Sequence, residues 1–207
     1  SLTNSNSAST DVVYTITATS AAGCASISPA TVTVRVHPTP TATISNPTQT
    51  ICSESLATIN LINPTVTGAT TTYSISSGSN ANVTGSLTPL GSSISGTLTN
   101  TTNTTQVTTF TISAIANGCT NAIGTATITV TPKPTVLATL TTPASICSGD
   151  AVNINLTNPN GVAGTTYEWT SNNPGAGIAN GSSGTGNIAG TLTNNGTANI
   201  TVTFTIR

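Results

Sequence analysis

The sequence predicts an all-β chain of tandem sandwich modules, each about 95 residues long. Three observations carry that prediction. A set of short motifs recurs at one spacing, apolar and Thr positions alternate between turn residues, and the composition favours pleated over helical backbone.

The recurrence decides the organisation. Ser1-Leu-Thr-Asn4 returns as Thr97-Leu-Thr-Asn100 and Thr191-Leu-Thr-Asn194, and Tyr14-Thr-Ile16 returns as Phe110-Thr-Ile112 and Phe204-Thr-Ile206. Gly23-Cys24 matches Gly118-Cys119, Ile51-Cys-Ser53 matches Ile146-Cys-Ser148, and Thr72-Tyr73 matches Thr166-Tyr167. Arg35-Val-His-Pro-Thr-Pro40 matches Thr129-Val-Thr-Pro-Lys-Pro134, and every offset lies between 94 and 96 residues. Six patterns do not fall on one spacing by chance. The chain is therefore read as the C-terminal part of one module (1–38), a complete module (39–132) and the N-terminal part of a third (133–207). A chain divided in this way is expected to come from a longer polypeptide.

Within 39–132, strands are predicted near 41–45, 56–62, 70–76, 82–87, 93–99, 106–115 and 124–130, each bounded by Gly, Pro, Asn or Ser. Alternation is clean in residues 109–115 and 125–130, where every second side chain is apolar and the rest are mostly Thr or Ser. Thr, Val and Ile lose χ1 freedom in helices and suit a half-buried pleat. No segment shows an apolar stripe at helical period, so essentially no helix is predicted. About seven short strands per module is the pattern of an immunoglobulin-like sandwich. Tyr14, Phe110 and Phe204 align on the sixth strand and, with Tyr73, Tyr167 and Trp169, are the expected core anchors.

The junctions read Pro38-Thr-Pro40 and Pro132-Lys-Pro134. Proline fixes φ and favours extended chain, so these are stiff connectors and not flexible tethers. Charge is nearly absent: three Lys or Arg and four Asp or Glu, a formal net charge of −1, and 3% charged residues against roughly 25% in ordinary soluble domains. Such a surface does not steer the chain toward nucleic acid or anionic membrane, and its near-zero net charge favours self-association. No apolar run approaches the roughly 18 residues of a membrane helix.

The Ile146-Cys-Ser-Gly149 segment, Tyr167-Glu-Trp169, Gly190-Thr-Leu-Thr-Asn194, the Tyr/Phe-Thr-Ile strand, Gly-Cys and the closing Val-x-Pro-x-Pro together resemble PKD-like repeats of very large secreted proteins of Bacteroidota. These include gliding-motility adhesins exported by type IX secretion. Ile51-Cys-Ser-Glu54 departs from the pattern at its last position. The resemblance covers the whole chain and implies an immunoglobulin-like fold, a cell-surface location and a stalk role in adhesion. It carries no catalytic residues.

Cys24, Cys52, Cys119 and Cys147 form two repeat-related sets, Cys24 with Cys119 and Cys52 with Cys147, each offset by 95. An even, regular set in an exported chain points to disulfides. Cys52 and Cys119 share a module, but strands two and six run parallel, which places them at opposite ends unless the first strand is distorted. A bond between neighbouring modules is the alternative, with each partner outside this segment, and free thiols are the third reading. No Cys-x-x-Cys spacing supports metal ligation.

The remaining chemistry is sparse. His37 aligns with Thr131 and reads as a linker residue. Asp11, Glu54, Asp150 and Glu168 are scattered and do not recur between modules, so no paired-carboxylate or nucleophile–base site is expected. Asp150 with backbone carbonyls is the one calcium candidate. The Asn-x-Ser/Thr sequons at Asn82, Asn100, Asn103, Asn155, Asn180, Asn195 and Asn199 follow from composition. The Thr-x-Thr strings follow from outward-facing strand positions. No enzyme activity and no cofactor are expected. The leading reading is a structural stalk or filament repeat of an extracellular adhesin, with neighbouring copies of the repeat as partners. The alternative is a ligand- or glycan-binding module acting through the 78–92 and 171–187 loops, which diverge most between modules.

Overall fold

The computed structural model describes residues 1–78, 80–173 and 183–207. Two compact units are present, one comprising 1–101 with 105–131 and the other 102–104 with 132–207. Every regular element in the described residues is a β-strand.

In the first unit, β1 (Thr10–Ile16) and β2 (Ala30–Val36) form an antiparallel pair, with Tyr14 opposite Val32 and Asp11 opposite Arg35. The complete sandwich follows. Its strands are β3 (Thr43–Ile44), β4 (Thr48–Cys52), β5 (Ser55–Ile62), β6 (Thr72–Ser77), β7 (Val83–Gly85), β8 (Thr88–Leu90), β9 (Ser93–Asn100), β10 (Gln106–Ala116) and β11 (Cys119–Thr131). One sheet runs β4-β11-β10-β6, and the facing sheet runs β3-β5-β9-β7 with β8 also on β9.

Period-two alternation places the core between those sheets. β5 contributes Ala57, Ile59 and Leu61, β9 contributes Ile94 and Leu98, β10 contributes Phe110, Ile112 and Ala114, and β11 contributes Ala126, Ile128 and Val130. Tyr73 and Leu87 complete the cluster. Burying each large aliphatic or aromatic side chain contributes about 1.5–3 kcal/mol, and this aliphatic stack drives closure of the sandwich. Gly96 faces the Ser86 carbonyl so closely that a Cβ would overlap it, which lets the strands flanking β9 approach.

The predicted first strand is two strands in different sheets. β3 pairs with β5 antiparallel, and after Pro47 the chain crosses to pair as β4 with β11, in parallel. Proline cannot donate to a ladder, so it suits the crossing point. The β5 edge vacated there is satisfied by side chains. Asn46 Nδ2 donates to Thr58 O (2.7 Å), Asn60 N donates to Asn46 Oδ1 (2.7 Å), and the Gln49 amide bonds both backbone groups of Thr58. The predicted last strand also begins earlier, at Cys119, because a bulge at Ile112/Ser113 with Gly124 at φ 143° lets pairing continue to the hairpin turn.

The second unit contains β12 (Leu137–Leu140), β13 (Ala151–Thr157), β14 (Glu168–Ser171), β15 (Ser183–Thr185), β16 (Ile188–Thr191) and β17 (Phe204–Ile206). They form sheets β12-β13-β16 and β15-β14-β17. Trp169 faces Ile206 across β14–β17, the register Ile75 takes with Ile112 in the complete sandwich. Val152, Trp169 and Ile188 are its buried cluster, with Phe204 edge-on to Trp169 at 5.7 Å between ring centroids.

Candidate functional site

The chemistry-bearing and repeat-defining residues gather at the ends of the complete module, where the chain arrives and leaves. At the leaving end, the Ile51-Cys-Ser53 segment is clasped to Leu98-Thr-Asn100. Asn100 N donates to Ser53 Oγ (3.0 Å), Ser53 N donates to Thr131 O (2.8 Å), and Thr131 Oγ1 donates to Ile51 O (3.1 Å). Asn100 Nδ2 donates to Val130 O (2.9 Å). Ser53 and Asn100 are buried polar residues, so these bonds replace water that cannot reach them. The same clasp recurs in the second unit, where Asn194 N donates to Ser148 Oγ (2.8 Å), and Asn4 Nδ2 holds Val36 O (2.8 Å) at the repeat position of Val130. In the sequence, the Leu-Thr-Asn and Ile-Cys-Ser motifs read only as markers of the repeat and of the family resemblance. Their recurrence was the signal that could have exposed the clasp, since a Ser hydroxyl and an Asn amide that recur together at strand ends each need a backbone partner.

At the arriving end, β10 turns into β11 through Asn117-Gly118, with φ values of 51° and 79°. Both residues in the left-handed region define a tight two-residue hairpin turn, which Asn-Gly favours. Asn121 then reaches from β11 to donate to the Pro40 carbonyl (3.1 Å). Pro38 and Pro40 are buried, and Thr67 N donates to Ser7 O (2.8 Å) with the two hydroxyls 3.1 Å apart. The first junction is therefore packed and hydrogen-bonded. Pro132 is half-buried and Pro134 exposed.

All four cysteines are free thiols; Cys24, Cys52 and Cys147 are exposed and Cys119 is half-buried. The pairing of Cys52 with Cys119 inside one module is excluded by register. Cys52 lies opposite Thr131 on the parallel β4–β11 pair, and Cys119 is the first residue of β11. At about 3.3 Å per strand residue, the two are roughly 40 Å apart, whereas bonded Cα atoms lie within about 7 Å. The first strand is distorted, but by a change of sheet that leaves Cys52 at the far end.

Of the expected anchors, Phe110 is 4% exposed, Tyr73 8% and Trp169 2%, and Tyr167 and Phe204 are half-buried. Tyr14 is 44% exposed on the two-stranded β1–β2 pair, whose inner face no other described residues cover. Burial pushes the Tyr73 phenol above its ordinary value.

Arg35 grips Asp11 with two bonds (Nε–Oδ1 2.7 Å, Nη2–Oδ2 3.0 Å), which holds the carboxyl below its usual value and raises the guanidinium. His37 Nδ1 lies 2.7 Å from Ser9 Oγ. Asp150 Oδ2 accepts from Cys147 N (3.0 Å), a turn contact. Among the described residues no three of His, Cys, Asp and Glu gather as a metal site, and no helix is long and apolar enough to cross a membrane. Of the two divergent loops, residues 79 and 174–182 lie outside the described residues. A shallow cleft of about 260 Å³ beside Trp169 is lined by Glu168, Gly184 and Thr205.

The PKD-like domain family matches residues 1–40, 49–134 and 144–207, so the chain belongs to that family. No curated protein gives a significant match. Among solved structures, the chain is similar to the chicken CNTN1 FN1-FN3 domains (TM-score 0.39, 11% identity, covering 95% of this chain and 68% of that one). It is also similar to mouse Cadherin-23 EC22-24 (0.33, 12%, 80% and 60%). A further similarity is to the C-terminal domain of the Streptococcus agalactiae AgI/II polypeptide BspA (0.29, 10%, 64% and 66%). The chain thus spans less than two thirds of the latter two.

Proposed function

We propose that this chain is spacer material: consecutive PKD-like sandwiches in an extracellular, cell-surface adhesin that hold a distal binding tip away from the cell. The observation that carries this reading is the first junction, where Pro38 and Pro40 are buried and Asn121 holds the linker carbonyl. A connector packed in this way transmits orientation from one module to the next, which a spacer needs and a tethered binding module does not. The finer identity follows the sequence resemblance: a very large surface protein of Bacteroidota, of the gliding-motility type, exported by type IX secretion. Three Lys or Arg in the chain leave trypsin-like proteases little to cut, and the near-neutral surface permits lateral association of neighbouring copies.

The test is ligand binding by the chain itself. Applied to a glycan array and to host-matrix proteins, it is expected to bind nothing, while the parent adhesin binds through its tip. Saturable binding by the chain, lost on substitution in the 80–92 loop, overturns the spacer reading in favour of a binding module.

A further inference from the structure

We propose that the outer edge of β6 is a self-pairing edge: β6 of a second copy of this chain adds antiparallel to it about a two-fold axis and joins the two four-stranded sheets into one. The inference goes beyond the spacer reading and stands on the complete module by itself.

The two sheets of that sandwich have four edges between them, and three are blunted. β3 has two residues, and beyond it the Asn46 side chain takes over its place on β5. β7 and β8 have three residues each, and β8 carries Pro89. β4 lies between Pro47 and Glu54, and Gln49 ties it to Thr58 of the facing sheet. β6 is different. It has six residues, Thr72–Ser77, without proline or charge, in unbroken register with β10. Among the described residues, β10 is its one strand neighbour. Uninterrupted, uncharged edges of this kind are the ones that recruit further strands.

The ladder fixes which groups face outward. Gly78 N donates to Thr109 O (2.6 Å), so Gly78 and, at every second position before it, Ser76, Ser74 and Thr72 direct their amides and carbonyls to β10. Tyr73, Ile75 and Ser77 therefore turn theirs to the open side. The second unit has a strand on the equivalent side. There Tyr167 and Trp169 hold the repeat positions of Tyr73 and Ile75. β15 lies antiparallel beside them, with Gly184 opposite Trp169 and Gly186 N donating to Tyr167 O (3.0 Å). In the complete module the corresponding stretch belongs to β8, which pairs with β9, and the β6 edge stays open.

The sequence of β6 makes it its own partner. A two-fold axis through Ile75 sets Ile75 opposite Ile75 of the second copy and Tyr73 opposite its Ser77, so all the outward groups of Tyr73, Ile75 and Ser77 find partners. Ile75 is half-buried at the rim of the core and loses its remaining exposure against its equivalent. On the outer face the exposed Ser74 and Ser76 meet across the axis, with no charge on either to repel the other. A formal net charge of −1 offers little long-range repulsion between copies.

The test is sedimentation velocity of the 207-residue chain across a series of concentrations, with amide hydrogen exchange on the same samples. The expected result is a reversible dimer in which the amides of Tyr73, Ile75 and Ser77 become protected as concentration rises, while those of Ser74 and Ser76 are protected throughout. Ser74→Lys together with Ser76→Lys sets like charges opposite each other and should weaken the dimer about tenfold or more, with the far-UV circular dichroism unchanged. Ser74→Glu together with Ser76→Glu should do the same, and an equimolar mixture of the two variants should restore dimerisation. A chain that stays monomeric at every concentration overturns the proposal. So does a dimer that neither variant weakens, a mixture that restores nothing, or exchange at Tyr73, Ile75 and Ser77 that ignores concentration. None of these outcomes touches the spacer reading, which is tested by ligand binding.

Discussion

The β1–β2 pair and the β10–β11 hairpin are the same segment of the repeat, yet their equivalent aromatics differ in burial. Tyr14 is 44% exposed and Phe110 4%. Both sit mid-strand, opposite Val32 and Ala126 at matching positions. Local sequence therefore places the side chain on the inner face, and the facing sheet decides whether that face is inside anything. Phe204, in a unit with two three-stranded sheets, is intermediate. A two-stranded pair is marginal by itself, and three or more strands with a covered apolar face are what confer stability.

Substitutions can break or sharpen that comparison. In the 207-residue chain by itself, the largest effect is expected at Phe110→Ala, a loss of about 3–5 kcal/mol in urea unfolding, against less than about 1 kcal/mol for Tyr14→Ala. Equal losses would mean that Tyr14 is also packed. In the second unit, a Cβ on Gly184 would lie 2.5 Å from the Trp169 ring. Gly184→Ala should cost about 1–3 kcal/mol by overpacking, with a blue or red shift of Trp fluorescence reporting the displaced ring. Asn100→Ala keeps the main-chain bond to Ser53 but leaves the Val130 carbonyl without its side-chain donor, and should cost about 1–3 kcal/mol, while the less buried Asn4 should cost less when replaced.

Smaller effects come from titration. The Tyr73 phenol is raised in the folded state, so the folded chain keeps a proton the unfolded chain releases. Stability should be constant below the ordinary Tyr value of 10.0 and fall as pH rises through it, and Tyr73→Phe should remove that slope. Asp11 is lowered by Arg35, so its contribution is present above the ordinary value of 3.8 and lost as pH falls through the lower folded value. Both partners are fully exposed, and Asp11→Asn should leave the melting of the complete sandwich unchanged.

Much of this was legible in the sequence. The alternation in residues 109–115 and 125–130 gave the paired core strands, and the 94 to 96 residue offset marked the equivalent segments. The split first strand was not legible, because the crossing at Pro47 depends on Asn46 and Gln49 replacing the β5 ladder with side-chain bonds. Nor was the early start of β11, which needs a bulge at Gly124 that no alternation pattern marks. The exposure of Tyr14 could not be read from its own strand, since burial belongs to the opposing sheet. At the module ends the cysteines and prolines were visible as motifs, but the Ser–Asn clasp that fixes one thiol emerged only from the packed geometry.

In the proposed spacer, packing of the kind seen at the first junction stiffens each joint of the array. Small-angle X-ray scattering on native arrays of two, four and six repeats tests it most directly. The expected result is a maximum dimension that rises linearly with repeat number at constant cross-section, in reducing and oxidising buffer alike for the packed joints. A dimension that grows as the square root of repeat number would show freely hinged beads and contradict the account.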